Sequence, residues 1–282
     1  TLARRSDYLP VLDWWEVWGK TGWNSYLGRA GGEVAARLEH SLASASHLPV
    51  VYSRLHASRL AELRGRHDAL QIAGVHPGHA LPIEADPAGS YILLANRLIP
   101  EKQTAAILPA LLLARQAIPN LEAVVVGSGP MESQLQAQIA DLGLCGSVHL
   151  RKNLSDESLE GLMRRALCVA LLSRREGYGL VVTEATRYGT PGIVLAHPDS
   201  AASERIATGE NGMLVESLEP QALASAILAV HAAGKPFRER TLAWRRRHDG
   251  ELTIDASLPT LISRYQQGAD ERRNAGWRSA RP

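Results

Sequence analysis

The chain has 282 residues, 45% of them apolar and 21% charged, with a net charge of +2. That is ordinary soluble globular composition, enough chain for one large or two ordinary domains, and too mild a charge to argue for a nucleic-acid partner. The two cysteines, Cys145 and Cys168, fall in a loop and in an apolar strand, so no disulfide is expected and a reduced cytoplasmic protein is the default; no apolar run approaches ~18 residues and no signal peptide is visible.

The chain begins at Thr1 rather than Met, which reads as a processed product or a fragment. Tyr8 to Asp13 predicts a short strand. Trp14, Trp15, Trp18, Trp23 and Tyr26 follow, so four of the six tryptophans fall within ten residues. This block reads as core or interdomain packing, because buried indoles pair their N–H. Its functional alternatives are an acceptor cleft, where sugar rings stack on indoles, or contact with a membrane interface. Asn24 to Leu48 is helix-compatible, with Leu27, Val34, Leu38 and Leu42 on one stripe. Pro49 to Ser53 predicts a strand, Arg54 to Arg64 a helix and Ala69 to Ala73 a third strand. Three strands and two helices in ~80 residues are too little for an independent layered domain. Residues 1–83 are therefore expected to be the back part of a domain whose front is absent, with 84–90, inside the Pro- and Ala-rich stretch PIEADPAGS, as linker.

From Tyr91 the pattern becomes regular. Strands are predicted at 91–96, 121–126, 147–150, 167–172, 192–196 and 212–215, with helices at 102–117, 131–142, 156–166 and 221–231. The fold class is α/β, with a six-stranded parallel sheet in Rossmann-like order, and ligands of such sheets bind outside the carboxyl ends of the strands. Asn96–Arg97, Gly127–Pro130, Arg151–Lys152 and Ser173–Gly179 all fall there. Arg238 to His248 predicts a basic helix and Thr253 to Tyr265 a last amphipathic one, with Pro259 inside it. Residues 268–282 read as a mobile tail.

The stretch Ser173 to Pro191, SRREGYGLVVTEATRYGTP, concentrates the chemistry. It predicts strand, glycine turn and helix, with Glu176 in the turn and Glu184 one and a half turns into the helix, ~8–12 Å apart along the axis. The amides of Tyr178 to Val181 lie between them at a helix N-terminus, where an anion is favoured. Carboxylate, anion site, carboxylate is the complement of a nucleotide diphosphate sugar, with a polyol at either end of a diphosphate. The plainer alternative has Glu176 capping the helix and Glu184 on a solvated face, and spacing alone does not decide. Arg97 and Lys102, either side of LIPE, suit a pyrophosphate; the plainer alternative is a surface loop with ion pairs to Glu101. The turn Gly127-Ser128-Gly129-Pro130 lacks the third glycine of a dinucleotide fingerprint, and Arg151 and Lys152 stand where an acidic ribose ligand is needed. There is no Asp-x-Asp pair, no His/Cys cluster with metal spacing and no Ser–His–Asp arrangement, so no metal or other cofactor is expected. Any diphosphate must then be neutralised by Arg97, Lys102 and the helix dipole.

Five elements carry a family resemblance: NRLIPEK (96–102), VVVGSGP (124–130), HLRKNLSDESL (149–159), SRREGYGLVVTEATRYGTP (173–191) and SERIATGENGMLVES (203–217). Residues 91–216 resemble the C-terminal domain of retaining, GT-B-fold glycosyltransferases of glycosyltransferase family 4. DWWEVWG…WNSYLGRAGG (13–32) and QIAGV (71–75) are similar to the late part of that family's N-terminal domain, and Thr253 to Tyr265 to its final helix, which crosses back to the N-terminal domain. The resemblance implies a nucleotide-sugar-binding domain over 91–235 and helices over 236–267 that pack back on a truncated N-terminal part. It implies that Arg97 and Lys102 hold the diphosphate and Glu176 the sugar hydroxyls. The amides of Gly177, Tyr178, Gly179 and Leu180 would contact sugar and phosphate, and Glu184 the ribose diol. Backbone near Arg151 would face the base, and Gly127 and Gly129 would let the nucleotide approach.

The implied reaction moves a sugar from a UDP or GDP sugar to a glycan, lipid-linked or small-molecule acceptor, with retention, without metal and with room for peripheral membrane contact. The alternative is a truncated, non-catalytic module that holds a nucleotide. Three features depart from the family pattern. The glycine-rich loop that covers the donor would lie in the absent front half. Trp15 or Asp13 stands where a histidine is common near the acceptor edge. The usual Gly-Gly-x-x-Glu loop reads HPDSAASE (197–204).

Overall fold

The computed structural model describes residues 9–73 and 90–279. The chain divides into two compact units, one spanning His76–Leu252 and the other built from the flanking segments Thr1–Val75 and Thr253–Pro282. The expected linker lies outside the described residues except for Ser90.

In the smaller unit, β1 (Val11–Trp14), β2 (Leu48–Val51) and β3 (Leu70–Gln71) form a parallel sheet in that order, with Val11 beside Leu48 and Val50 beside Leu70. Helices α1 (Gly19–Ser44) and α2 (Arg54–Arg64) alternate with the strands. Trp14, Val17, Ala43, Val51 and Leu60 make the core, and the Trp14 indole donates to His47 Nε2 at 3.2 Å. The packing reading of the aromatic block holds for Trp14. Trp15 stacks on Tyr52 with 4.0 Å between ring centroids, and Trp18 stacks on Trp23 at 4.7 Å.

The predicted stripe on α1 is not core: Leu27, Val34, Leu38 and Leu42 are all exposed, Leu38 at 66%. The helix breaks at Gly28, whose φ of 71° leaves the helical region and lets the first turns fold back on the rest, so Leu27 is not on one helix with Val34, Leu38 and Leu42. Gly32 then lies so close to Asn24 that a Cβ would sit 2.5 Å from its backbone. The Glu39 carboxylate accepts the amides of Trp18 and Gly19 at 2.9 and 2.8 Å, capping the helix start from within the same element. The inward face is thus Gly22, Gly32, Glu39 and Ala43, and the larger apolar residues are left outside.

α8 (Ile254–Ser279) belongs to this unit. Ser257 Oγ accepts the amide of Ala73 at 3.2 Å, and Gly268 abuts Leu9. The helix runs on to Ser279, so the tail expected from 268 is helical through that point.

In the larger unit, β4 (Tyr91–Ala95), β5 (Glu122–Val126), β6 (Val148–Arg151), β7 (Cys168–Leu171), β8 (Gly192–Leu195) and β9 (Gly212–Val215) form one parallel sheet in the order β6-β5-β4-β7-β8-β9. The apolar runs of the four inner strands β5, β4, β7 and β8 are buried on both faces, as a covered parallel sheet requires. Side chains alternate between two cores. Ile92, Leu94 and Val125 join α3 (Ile107–Arg115), α4 (Glu132–Asp141) and the first part of α7 (Pro220–Leu252) on one face. Leu93, Val124 and Val169 join α5 (Asp156–Arg165) and α6 (Leu180–Thr186) on the other. The predicted helix at 102–117 starts late, because Gln103 in the left-handed region (φ 50°) separates two short 3-10 turns, Pro100–Lys102 and Thr104–Ala106, ahead of α3.

α7 unites two predicted helices across Gly234 and stays with the larger unit to Leu252, so the change of unit falls at 252/253 rather than 235/236. Two buried arginines hold it there. Arg238 donates to the carbonyls of Ala166 and Tyr188 at 2.8 and 3.0 Å, and Arg245 to that of Thr183 at 3.0 Å. Cys145 and Cys168 are free, the first exposed and the second buried. Among the described residues no helix is long and apolar enough to cross a membrane.

Candidate functional site

The parallel topology carries all four predicted segments to the carboxyl edge of the large sheet. The loops after β4 and β5 are zipped together there. Leu98 N–H donates to Ser128 O at 2.9 Å and Met131 N–H to Leu98 O at 3.0 Å, while within the first loop Thr104 Oγ1 donates to Asn96 Oδ1 at 2.9 Å. Gly127 and Gly129 are needed for this closure, because a Cβ on them would lie 1.9 Å from Asn96 O and 2.3 Å from Leu98 O. Their glycine identity therefore has a packing cause in the fold itself. Arg97 is exposed at the end of β4. Arg151 is exposed at the end of β6, with its carbonyl taken by the Gly127 amide at 2.9 Å.

Lys102 Nζ donates to Glu176 Oε2 at 2.6 Å, and both side chains are largely buried. The two residues are 74 positions apart and come from neighbouring strand ends. Lys102 thus pairs with Glu176, not with Glu101; the Glu101 carbonyl instead accepts the Arg174 amide at 2.9 Å. The backbone of Glu176 is clamped from β8's side. Its amide donates to Asp199 O at 3.2 Å, and its carbonyl accepts the Ala201 amide at 2.8 Å. Gly179 (φ 92°) follows in the left-handed region, and a Cβ there would meet that of Ala202 at 2.9 Å. So the turn carrying Glu176 is moulded on the segment 199–202.

Gly177, Tyr178 and Gly179 are buried, while Leu180, which opens α6, is half-buried. The Tyr178 ring is 1% exposed under the Arg205 guanidinium, 4.6 Å from its centroid, so the side chain serves the core and any ligand contact narrows to the amide. Glu184 is the fifth residue of α6 and half-buried. Burial pushes its carboxyl above the usual range; Arg187 opposes the shift, and Asp156 and Glu160 of α5 add to it. Asp156 and Glu160 come near Glu184 only through the packing of α5 on α6, which sequence spacing does not reveal.

Two elements that look like signature turns have structural causes. Thr190 Oγ1 donates to Met163 O at 2.7 Å. Asn211, fully buried, accepts the Ala207 amide at 2.7 Å and donates to Arg205 O at 2.8 Å. A Cβ on Gly212 would lie 2.3 Å from Gly192 O, so β9 can approach β8 only with glycine there. In the smaller unit, burial, and after it a hydrogen bond with Asp13 near the end of β1, pushes the Tyr52 phenol above its usual range. Among the described residues no group of three or more His, Cys, Asp or Glu side chains is arranged to hold a metal ion.

The family model "Glycosyl transferases group 1" matches residues 83–241, more than half of the chain. The chain belongs to the glycosyl transferases group 1 family. Among curated relatives, it is 30% identical over 188 residues to the D-inositol 3-phosphate glycosyltransferase of Jonesia denitrificans, covering 64% of this chain and 44% of that protein. It is 27% identical over 173 residues to the GDP-mannose-dependent alpha-(1-6)-phosphatidylinositol monomannoside mannosyltransferase of Mycolicibacterium smegmatis, covering 55% and 45%. The chain thus spans less than half the length of these relatives. Among solved structures, Anabaena HepE in complex with UDP and glucose aligns with a TM-score of 0.69 at 20% identity, covering 92% of this chain and 71% of that one. The pneumococcal O-GlcNAc transferase GtfA in complex with UDP and GlcNAc aligns at 0.65 and 21%, covering 83% and 47%. At these identities the likeness shows the fold, which is of the GT-B type expected from the resemblance.

Proposed function

We propose that the protein transfers a sugar from a nucleotide diphosphate sugar to a glycan, lipid-linked or small-molecule acceptor, with retention and without a metal ion. The observation that carries this is the Lys102–Glu176 contact, 2.6 Å, at the carboxyl edge of the sheet, with Arg97 exposed at the start of the loop that carries Lys102. A cation for a phosphate and a carboxylate for hydroxyls, side by side, suit the junction of diphosphate and sugar. Glu184 takes the ribose diol, the backbone at Arg151 faces the base, and the amides of residues 177–180 contact sugar and phosphate.

In this reading the bond between the sugar's anomeric carbon and the diphosphate oxygen breaks towards an oxocarbenium-like ion pair. The acceptor hydroxyl attacks on the same face, and its proton passes to the leaving diphosphate. Arg97 and Lys102 stabilise the charge that grows on the diphosphate, which is electrostatic catalysis, and the rest is positioning. The one relative named for GDP-mannose and the structures holding UDP support a nucleotide-sugar donor and leave the base open. A reduced cytoplasmic setting, with peripheral membrane contact if the acceptor is lipid-linked, is part of the proposal. The free thiols favour it.

Calorimetry with UDP and GDP in the presence of a chelator tests the site. One of them is expected to bind, and Glu184→Ala to weaken it by roughly 10-fold or more, the worth of hydrogen bonds to a charged group. No binding, or strict dependence on Mg²⁺, overturns the assignment. A second reading, nucleotide binding without transfer, is favoured by the chain's spanning less than half of its curated relatives. Release of free nucleotide diphosphate by this chain with an acceptor mixture would exclude it.

A further inference from the structure

His47 ties the elements of the smaller unit together. It lies just ahead of β2, is 7% exposed, and its ring meets three other segments. Nδ1 lies 2.8 Å from the carbonyl oxygen of Ala45, just past the end of α1. A carbonyl can only accept, so Nδ1 carries the proton and Nε2 is the bare acceptor. Nε2 receives the Trp14 indole N–H from β1 at 3.2 Å and an Arg64 N–H from the end of α2 at 3.1 Å. Both donors are fixed. Trp14 belongs to the core of the unit. The Arg64 side chain is 1% exposed, holds Asp68 through two bonds of 2.9 and 2.8 Å, and also donates to the Ala43 carbonyl.

A proton added to this ring can only go to Nε2. There it would point at two N–H groups, one of them on a cation, and the tie between β1 and the α1–β2 turn would become a repulsion. Burial, and after it the Arg64 guanidinium, holds the imidazole below its ordinary range; the Ala45 carbonyl and Asp68 act the other way, and Arg66 adds to the depression. Asp68 is itself shared between Arg64 and Arg66. The unfolded chain has no such bias. As pH falls through the ordinary histidine value, the unfolded state takes up a proton that the folded ring refuses. Stability present above that value is therefore lost progressively, and the loss levels off below the lowered folded value.

We propose that His47 is an acid-sensitive latch: a proton taken up at Nε2 turns the ring's acceptor into a donor facing Trp14 and Arg64, and releases β1 and α2 from the turn between α1 and β2. The proposal concerns the smaller unit and stands independently of the nucleotide-sugar reading. Its test is thermal unfolding of the full chain between about pH 7.5 and 5.5, above the range in which ordinary carboxylates titrate. Tryptophan fluorescence follows it, because Trp14, Trp15, Trp18 and Trp23 lie in the smaller unit. The wild-type midpoint is expected to fall by roughly 4–8 °C, the shift that a change of about 5–10-fold in the unfolding equilibrium makes in a domain of this size. His47→Gln keeps a donor and an acceptor without a titrating group, and should lose less than half of that shift. What remains is assigned to His56, also buried, whose Nδ1 accepts the Val17 amide at 3.0 Å. A His47→Gln chain that falls as far as the wild type, or a wild type whose midpoint does not move, would overturn the proposal. Where the variant does not fold, NMR on the wild type decides. The His47 ring, assigned by its proximity to the Trp14 indole N–H, is expected to remain in the neutral Nδ1–H form at about pH 6, below its ordinary value. Protonation at that ordinary value, or an Nε2–H tautomer, would overturn the latch equally.

Discussion

Glu184 shows how burial and function pull against each other at one residue. Its folded carboxyl titrates above the ordinary glutamate range because α6 buries it and Asp156 and Glu160 stand near. The folded state therefore holds a proton more tightly than the unfolded state, and stability is lost as pH rises through the raised value. Glu184→Gln is expected to raise the melting temperature at pH 7, with the gain shrinking as pH falls into the ordinary carboxylate range, where glutamate is protonated in both states. The same variant should bind the nucleotide more weakly. A melting temperature unchanged or lowered at pH 7 would remove the electrostatic cost assigned to this position. The pair Glu176 and Glu184 was legible in the chain because a strand, a glycine turn and a helix fix their spacing locally. Lys102 was legible as a cation but not as the partner of Glu176. Glu101 is adjacent in sequence, and only the order of strands β4 and β7 decides between them.

At the scale of elements, the sequence periods placed the strands of the larger sheet to within a residue or two, because buried parallel strands are short apolar runs with glycine and proline between them. They failed on α1, where an apolar stripe of helical period faces outward and glycine, alanine and a capping glutamate face in. The failure makes a prediction. Leu38→Gln should change the stability of this chain by no more than about 0.5 kcal/mol in urea denaturation, as at other exposed positions. A core leucine would lose about 2–5 kcal/mol on truncation. Glycine positions argue the opposite way. Gly129→Ala drives a methyl into Leu98 O and should cost on the order of 2–4 kcal/mol. Removing the Asn211 amide by Asn211→Ala leaves the Ala207 amide and the Arg205 carbonyl unpaired around a buried position, for about 2–3 kcal/mol. If Gly129 and Asn211 served a ligand alone, these variants would lose binding with unchanged stability, so denaturation separates the two explanations.

At the scale of the whole molecule, the change of unit on the C-terminal side falls at 252/253 and not at 235/236. Residues 238–248 look like a solvated basic helix, yet Arg238 and Arg245 are buried and reach carbonyls of the larger unit. Composition cannot reveal this, because arginine is an exposed residue on average and becomes a core residue only when carbonyls are waiting for it. The consequence is that the larger unit is one unbroken run of chain, His76–Leu252, whereas the smaller is assembled from two segments. Arg97, Lys102, Arg151, Glu176 and Glu184 all lie in that run. Expressed alone, His76–Leu252 is expected to unfold in a single cooperative step and to bind the preferred nucleotide diphosphate within about threefold of the full chain, a difference below 1 kcal/mol. Ending the piece at residue 235 instead should abolish cooperative folding, because it removes the two arginines that tie α7 to the carbonyls of Ala166, Tyr188 and Thr183. If the longer piece folds yet loses the nucleotide, residues of the smaller unit contribute to the donor site. If the shorter piece folds as well as the longer, the buried arginines are not what holds α7 to its sheet.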